Sequence, residues 1–431
     1  MLSGVLFLSS PFKPAMLIPA LLLVLPLLPI TPIQAAPGIE LGRWRAELES
    51  PGGALPFTFD LQQGDEGLVV WLINDSERIP LADVTVKAGQ FKLEIHHYQS
   101  RIHAKVAEDQ RSMTGTWSKL GGDNSKTEMP FFAELSDEPR FLEDEDSMGA
   151  EDVTLSGRWE VRFSSSKTPA VGLFRSKADG TASGTFLTTL GDYRYLEGTF
   201  RAGRLRLSCF DGAHAFLFDA ILGEDGLLRG DFWSRDSWHE TWIAELNADA
   251  KLPDPFSLSR WREEIAIDSL KFVDPRSREP VSLGDERFAG KLRLIQLFGT
   301  WCPNCHDEAP FLAELYRTYK DQGLEVVGLA FEHSGRLKND ILQIERFRKR
   351  HSIPYPLLIG GDSNKEQAAK EFGALKEVLA YPTVLFVDAK GQVRYVHTGF
   401  TGPAAGEAHA REKERFHELI QELLGEAKEK R

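Results

Sequence analysis

Two cysteines separated by two residues, Cys302 and Cys305, stand in a chain of 431 residues that holds only three. They lie within Phe298-Gly299-Thr300-Trp301-Cys302-Pro303-Asn304-Cys305-His306-Asp307-Glu308-Ala309-Pro310. A thiol pair at this spacing can alternate between dithiol and disulfide, supply half of a zinc site, or, with a histidine directly after it, anchor a c-type haem. Exchange needs a thiolate rather than a thiol. The apolar run Leu292 to Phe298 reads as a buried strand. Pro303 to Gln322 reads as a helix, with Phe311, Leu312, Leu315 and Tyr319 at helical spacing. The cysteines would then open that helix, where unpaired N–H groups and partial positive charge favour an anionic sulfur. Cys302 is the expected nucleophile, and Cys305, one turn on, is placed to resolve a mixed disulfide. Pro303 loses nothing in a first turn, where its missing N–H has no partner to give up.

The rival readings differ in what else they require. Zinc needs further ligands, and no second C-x-x-C pair exists to complete a site, so no metal is expected. Haem attachment would use Cys302, Cys305 and His306, and a Soret band on the purified protein would reveal it. Cys209 alternates with Leu205 and Leu207 and is expected to face a β core as a small apolar residue.

Around this segment, strands and helices alternate from about residue 265 to 425, an α/β layer pattern. Leu324 to Phe331 reads as a buried strand, and Ile341, Ile344 and Phe347 mark a helix. Thr383–Val387 and Val393–His397 flank a turn at Lys390-Gly391. Phe416, Leu419, Ile420, Leu423 and Leu424 stripe a last helix that Gly425 is expected to end. Glu332 and His333 are expected in a loop after their strand.

Residues 39–247 carry strand signals instead. Leu55, Phe57, Phe59 and Leu61 alternate, as do Phe91, Leu93 and Ile95. The region repeats itself. Gly42-Arg43-Trp44 recurs as Gly157-Arg158-Trp159, Gly89-Gln90-Phe91 as Gly203-Arg204-Leu205, and Ala133-Glu134-Leu135 as Ala244-Glu245-Leu246. The offsets of 115, 114 and 111 residues describe a tandem duplication: repeat 1 over 39–136 and repeat 2 over 153–247. Two units fit two small antiparallel barrels or sandwiches, or two halves of one barrel. Asp137 to Asp152 is acidic and reads as a solvated linker. Residues 248–264, with Pro253-Asp254-Pro255, form a second linker. Trp44, Trp117, Trp159 and Trp233 are expected to anchor the repeats' cores. His96 and His97 fall in an apparent strand and should face opposite ways. The fold class is thus multidomain: a duplicated antiparallel β barrel or sandwich-like module, then an α/β domain.

At the start of the chain, Lys13 precedes an uncharged apolar run from Ala15 to Ile30, and small residues follow at Ala35 and Ala36. Basic, apolar, small is the order of a secretory signal, here residues 1–36. Pro19, Pro26 and Pro29 interrupt the run, which disfavours a membrane-spanning helix without excluding an uncleaved anchor. A net charge of −13, from 51 basic and 64 acidic residues, makes nucleic acid a poor partner.

From about Leu270 to Leu424 the sequence resembles the TlpA/ResA-like thioredoxin family of exported oxidoreductases. Trp301-Cys302-Pro303-Asn304-Cys305 with Glu308 and Pro310 carries the resemblance, together with Asp274, Pro280 to Leu283, Gly290-Lys291, Ala380-Tyr381-Pro382-Thr383, Phe386-Val387-Asp388 and Gly399-Phe400. The resemblance implies a thioredoxin fold whose Cys302–Cys305 pair forms a redox disulfide. It implies a cis Pro382 beside Cys302, Glu308 moving protons for the buried cysteine, and a docking surface from Trp301, Tyr381 and Thr383. It also implies reduction of protein disulfides in the periplasm or envelope, in cytochrome c maturation or thiol homeostasis. Protein thiols and disulfides would be the partners, a membrane thiol-reducing donor would supply electrons, and no cofactor would be needed. A peroxidase of the peroxiredoxin type shares this fold but calls for threonine at the position Gly299 holds. The other class of reading makes the β repeats a binding module that carries an accessory redox domain.

Overall fold

The computed structural model describes residues 38–121, 125–142 and 155–429. The leader read at 1–36 and the acidic core of the first linker lie outside the described residues.

The repeats form two separate antiparallel barrels. In the first, nine strands from Gly42–Ser50 to Lys126–Leu135 pair with their chain neighbours, and the first strand closes on the last. The one break in that ring falls between Glu77–Leu81 and Val84–Lys87. In the second, eight strands from Gly157–Phe163 to Trp238–Leu246 close fully, with Ala170–Ser176 pairing Thr181–Thr188 and the first strand pairing the last. Closure removes the unpaired edges that would otherwise template aggregation. The duplication is visible atom by atom. Trp44 stands opposite Leu135 and donates its indole N–H to the carbonyl of Glu40 at 3.2 Å. Trp159 stands opposite Leu246 and donates to the carbonyl of Leu155, also four residues earlier, at 3.0 Å.

Period-two alternation sends one face of each strand inward. Leu55, Phe57, Phe59 and Leu61 are buried in the first barrel. In the second, Phe218 stacks between Phe186 at 4.6 Å and Phe232 at 4.3 Å, with Trp242 edge-on to Phe186. Cys209 belongs to this core as a free, buried thiol. Three of the four tryptophans named above are core anchors. Trp233 is not: it is half-buried and covers Gly52 of the other barrel, where a Cβ would collide with its ring. The stretch that leads into the acidic run is not simply solvated either. Buried Arg140 reaches the carbonyls of Ile73 and Ser208, one from each barrel.

The C-terminal domain is a mixed α/β thioredoxin-like fold. Its elements are β1 (Lys271–Val273), β2 (Pro280–Ser282), β3 (Leu292–Phe298), α1 (Pro303–Tyr319), β4 (Leu324–Glu332), α2 (Leu337–Arg350), β5 (Leu357–Asp362), α3 (Lys365–Phe372), β6 (Thr383–Val387), β7 (Val393–Thr398) and α4 (Glu407–Glu429). The sheet order is β2-β1-β5-β4-β3-β6-β7, with β3, β4 and β5 parallel and β6 antiparallel to β3. All seven residues of β3 are buried, as expected of a central strand covered on both faces. Gly425 does not end the last helix, which runs on to Glu429; the apolar stripe ends near Gly425, but no turn follows. The 248–264 stretch is fastened to this domain: Phe256 lies against Phe386, Tyr395 and Phe416, and Trp261 bridges to Leu375.

Because Phe218 is enclosed by aromatic rings, Phe218→Ala leaves a cavity the closed barrel cannot collapse around. A loss of about 3–5 kcal/mol is expected for that barrel, read as a lower urea midpoint of its tryptophan fluorescence transition.

Candidate active site

The redox segment is built where β3 gives way to α1. Gly299 leaves the strand, and the N–H of Cys302 donates to the carbonyl of Gly299 at 3.1 Å. Cys302 is the N-cap of α1, with extended backbone, and Pro303 is the first helical residue. The carbonyl of Cys302 accepts from Cys305 N at 3.1 Å and His306 N at 3.2 Å. Both cysteines are free thiols; Cys302 keeps 7% exposure and Cys305 none. The peptide bond between Tyr381 and Pro382 is cis, and the Cys302 thiol points at the carbonyl of Tyr381, 3.3 Å away.

The two sulfurs are electrostatically unequal. Burial opposes ionisation of Cys302, but the Cys305 thiol and the N–H groups of Cys305 and Asn304 more than offset it, so its thiol is held below the ordinary value. Burial pushes the Cys305 thiol well up, and the neighbouring Cys302 sulfur and Glu308 push it further. This asymmetry makes Cys302 the more acidic of the two thiols.

Buried carboxyls surround the pair. Glu308, without exposed surface, accepts from the Nε2 of Gln296 at 2.6 Å, and burial raises it well above the usual carboxyl range. Glu332 is not a loop residue: it ends β4, is buried, and accepts from the N–H and hydroxyl of Thr300 at 2.9 and 2.7 Å. Burial raises it to about 8. His333 is half-buried and stacks on Trp301 at 4.0 Å. The Trp301 indole donates to the carbonyl of Phe331 at 2.9 Å, and its ring meets Tyr381 edge-on at 5.7 Å. Thr383 is fully buried and gives its hydroxyl to the carbonyl of Ala380 at 2.8 Å, so its side chain shapes the proline loop from inside.

Both ring nitrogens of His306 are engaged, Nε2 with the carbonyl of Thr300 at 2.8 Å and Nδ1 with Nε2 of His351 at 2.6 Å. A haem ligand needs a free ring nitrogen, and thioether attachment needs an accessible second sulfur. Neither His306 nor Cys305 provides these. Among the described residues no group of three or more His, Cys, Asp or Glu side chains could hold a metal ion. Gly299 has no room for threonine, since even a Cβ would collide with the Trp301 indole.

The barrels touch this site. His96–Tyr98 form a 3₁₀ turn rather than a strand, so His97 and Tyr98 both reach the same neighbour. Their rings lie 5.4 and 5.1 Å from that of His306. Burial keeps His97 neutral, lowered to about 3, and His351 likewise, lowered to about 4. From the second barrel, Gly191 lies against Asn304, leaving no space for a Cβ, and Asp192 accepts from the N–H of Gly402 at 2.8 Å. Buried Arg194 pairs with Asp307 of α1. None of these contacts was expected from the sequence. Gln296, a polar residue inside an apolar strand, and Asp307, an acid beside the thiol pair, were the visible signals.

A C-x-x-C pair at a helix start, opposed by a cis-proline loop on a thioredoxin-like sheet, defines a thiol-disulfide oxidoreductase domain. Residues 269–396 match the AhpC/TSA family model. Over 112 residues the chain is 30% identical to the thiol-disulfide oxidoreductase ResA of Geobacillus thermodenitrificans, covering 26% of this chain and 57% of that protein. It is 30% identical over 123 residues to the thioredoxin-like protein YneN of Bacillus subtilis, covering 28% of this chain and 64% of that one. A crystal structure of a putative thiol:disulfide interchange protein DsbE from Chlorobium tepidum aligns with 38% of this chain and 99% of its own, at 19% identity and a TM-score of 0.30. The chain thus spans just over half the length of the first curated relative it matches. The C-terminal domain is an AhpC/TSA-type, thioredoxin-like domain related to the ResA thiol-disulfide oxidoreductases.

If the asymmetry governs reactivity, iodoacetamide should label Cys302 with a pH midpoint below the ~8.5 of a free thiol. Cys305 and Cys209 should stay unlabelled well above it. Peptide mass spectrometry of the reduced protein measures all three, and equal midpoints for Cys302 and Cys305 would contradict the geometry.

Proposed function

We propose that this protein is an exported enzyme that reduces disulfides in other proteins. What carries the reading is the pairing of a depressed thiol at Cys302 with an elevated one at Cys305, one helical turn apart. The Cys302 thiolate attacks one sulfur of a substrate disulfide. That S–S bond breaks, a mixed disulfide forms, and the leaving sulfur takes a proton. Cys305 then attacks Cys302 as its proton passes to one oxygen of the buried Glu308 carboxyl, whose own proton goes to the departing sulfur and releases the second substrate thiol. Two electrons have passed to the substrate, and the enzyme is left with a Cys302–Cys305 disulfide that an external dithiol must reduce. A membrane thiol donor fits that need in the envelope, and the basic, apolar, small order of residues 1–36 supports export. Trp301 and the Tyr381–Pro382 loop flank Cys302 and form the docking rim, with Thr383 holding the loop from inside. Envelope thiol homeostasis or cytochrome c maturation is the setting this chemistry suits.

Cys302→Ser should abolish turnover of a protein disulfide such as insulin. Cys305→Ala should accumulate mixed disulfides visible on non-reducing gels. Glu308→Gln should slow release of the second thiol by about 100-fold, within the usual range for a lost acid–base group, without changing the Cys302 alkylation midpoint. Full activity in Glu308→Gln would remove Glu308 from the mechanism.

A second reading gives the barrels a part in partner choice. It rests on the contact of Gly191 with Asn304, and on Leu190, 47% exposed, beside Gly399 next to the proline loop. Leu190→Glu should lower kcat/KM for protein disulfides about 10-fold, the order of one apolar contact, while leaving a small aromatic disulfide unaffected. Equal effects on both substrates would deny the barrels this role.

A further inference from the structure

Asp307 is an awkward neighbour for a thiolate. It lies on α1 two residues past Cys305, and its negative charge raises the Cys302 thiol, opposing the ionisation that exchange needs. The thioredoxin-like domain supplies Asp307 with no ion-pair partner among the described contacts. The cation comes from the second barrel. Arg194, with 7% of its side chain exposed, directs one guanidinium nitrogen at Asp307. A second pairs with Glu77 of the first barrel at 2.7 Å, and the Nε lies 3.4 Å from Asp211. One side chain therefore joins both barrels to the redox helix.

The position of Arg194 is itself built. Its backbone takes a left-handed conformation, φ 62°, and its N–H donates to Asp192 at 3.2 Å. Asp192 in turn accepts from Gly402 of the thioredoxin-like domain. A Cβ on Gly402 would strike the carboxylates of both Asp192 and Asp307, so the two domains meet at backbone distance here. The charges facing Asp307 are Arg194 with Asp192 and Asp211 from the second barrel, and Glu77 from the first; Tyr98 and Tyr195 lie within the same electrostatic cluster. Burial raises Asp307 to about 7 even with Arg194 beside it, so its charge state turns on that single cation near neutral pH. Other cations within electrostatic reach of Cys302 are Lys119 of the first barrel, which burial lowers to about 8, and Lys365 of α3.

We propose that Arg194 is a positioning residue for the redox site: by clamping Asp307 as a carboxylate, the second barrel holds a fixed like charge near the Cys302 sulfur and tunes how readily it reacts. This inference rests on the reading of Cys302 as the attacking thiolate. It makes the barrels part of the redox machinery rather than an appended binding module. Sulfur reactivity then depends on the barrels being docked.

The test is the pH profile of Cys302 alkylation in the full-length reduced protein. Arg194→Met should move the midpoint down by about half a unit, because a buried Asp307 without its cation takes up a proton and its charge is lost. Arg194→Lys should stay near the parent. Asp307→Asn should move it down as far, and adding Arg194→Met to Asp307→Asn should move it no further. An Arg194→Met midpoint that rises, or a double variant shifted well beyond Asp307→Asn alone, would show that Arg194 does not act through Asp307 and would overturn the proposal. If Arg194→Met does not fold, Asp307→Asn alone decides, and an unmoved midpoint overturns it. A parent protein whose Cys302 titrates like a free thiol would instead end the reading of Cys302 as nucleophile. A depressed parent midpoint that ignores all four variants would end only the assignment of Arg194.

Discussion

For Cys302 to act in the proposed way, a sulfur anion must exist inside protein, at a site with 7% exposure, and much of what surrounds Cys302 bears on that constraint. Desolvating an anion costs several kcal/mol unless fixed donors replace water. Here the Cys305 thiol is the largest replacement donor, followed by the N–H groups of Cys305 and Asn304 in the first turn of α1. Such N–H groups are what a helix start presents to its first residues. They require no reorganisation when charge forms. The same burial without those donors raises Cys305 and keeps it a thiol until its turn. Order of attack is thus set by one turn of helix rather than by two different residue types.

The barrels make sense against this background. A thioredoxin-like domain presents its reactive sulfur at the end of a sheet, on loops. The two barrels are platforms with aromatic cores, and each offers a short segment to that end. One is the 3₁₀ turn His96–Tyr98, anchored by the Gln343 side chain bonding the carbonyl of His96 at 2.9 Å. The other is the stretch Gly191–Arg194. Both are polar insertions between strands whose inward faces are apolar. The barrels also join each other, through Arg140 and through Ser100 donating to the carbonyl of Gly212 at 2.5 Å. A displacement of one barrel would therefore be felt by the other and by α1.

Local pattern carried the parts of the fold that depend on local pattern. Alternation at Leu55–Leu61 and the Gly-Arg-Trp repeat specified two strand-rich units, because a half-buried strand must alternate. The C-x-x-C spacing specified the site, because two sulfurs one turn apart have few other uses at the end of an apolar strand. What was not legible depends on tertiary partners. His96-His97 carries a strand's neighbours but folds as a 3₁₀ turn, which sets Tyr98 against His306, a partner far along the chain. His333 lies in the loop after its strand as expected, but Glu332 is the strand's last residue, drawn inward by the two donors of Thr300. Arg194 gave no signal at all, since its meaning lies in an acid 113 residues away. Trp233 resembled its counterparts in type but faces a glycine of the neighbouring barrel instead of its own core.

Gln296 and Glu308 show how a central strand and a helix divide a proton problem between them. Glu308 has one carboxyl oxygen bonded to Gln296 and one without a partner, and the Gln296 carbonyl oxygen is likewise unpaired. A buried carboxylate is normally stabilised by two or three donors. With one, it is strongly biased to the neutral acid, in the direction its burial already dictates. Cys305, beside it, is biased to the neutral thiol for the same reason. A carboxyl kept neutral can still relay a proton, taking one on its free oxygen as it gives up its own, so that no buried anion has to persist. The single donor on Gln296 is sufficient for this: it orients the carboxyl without stabilising its anion as several donors would.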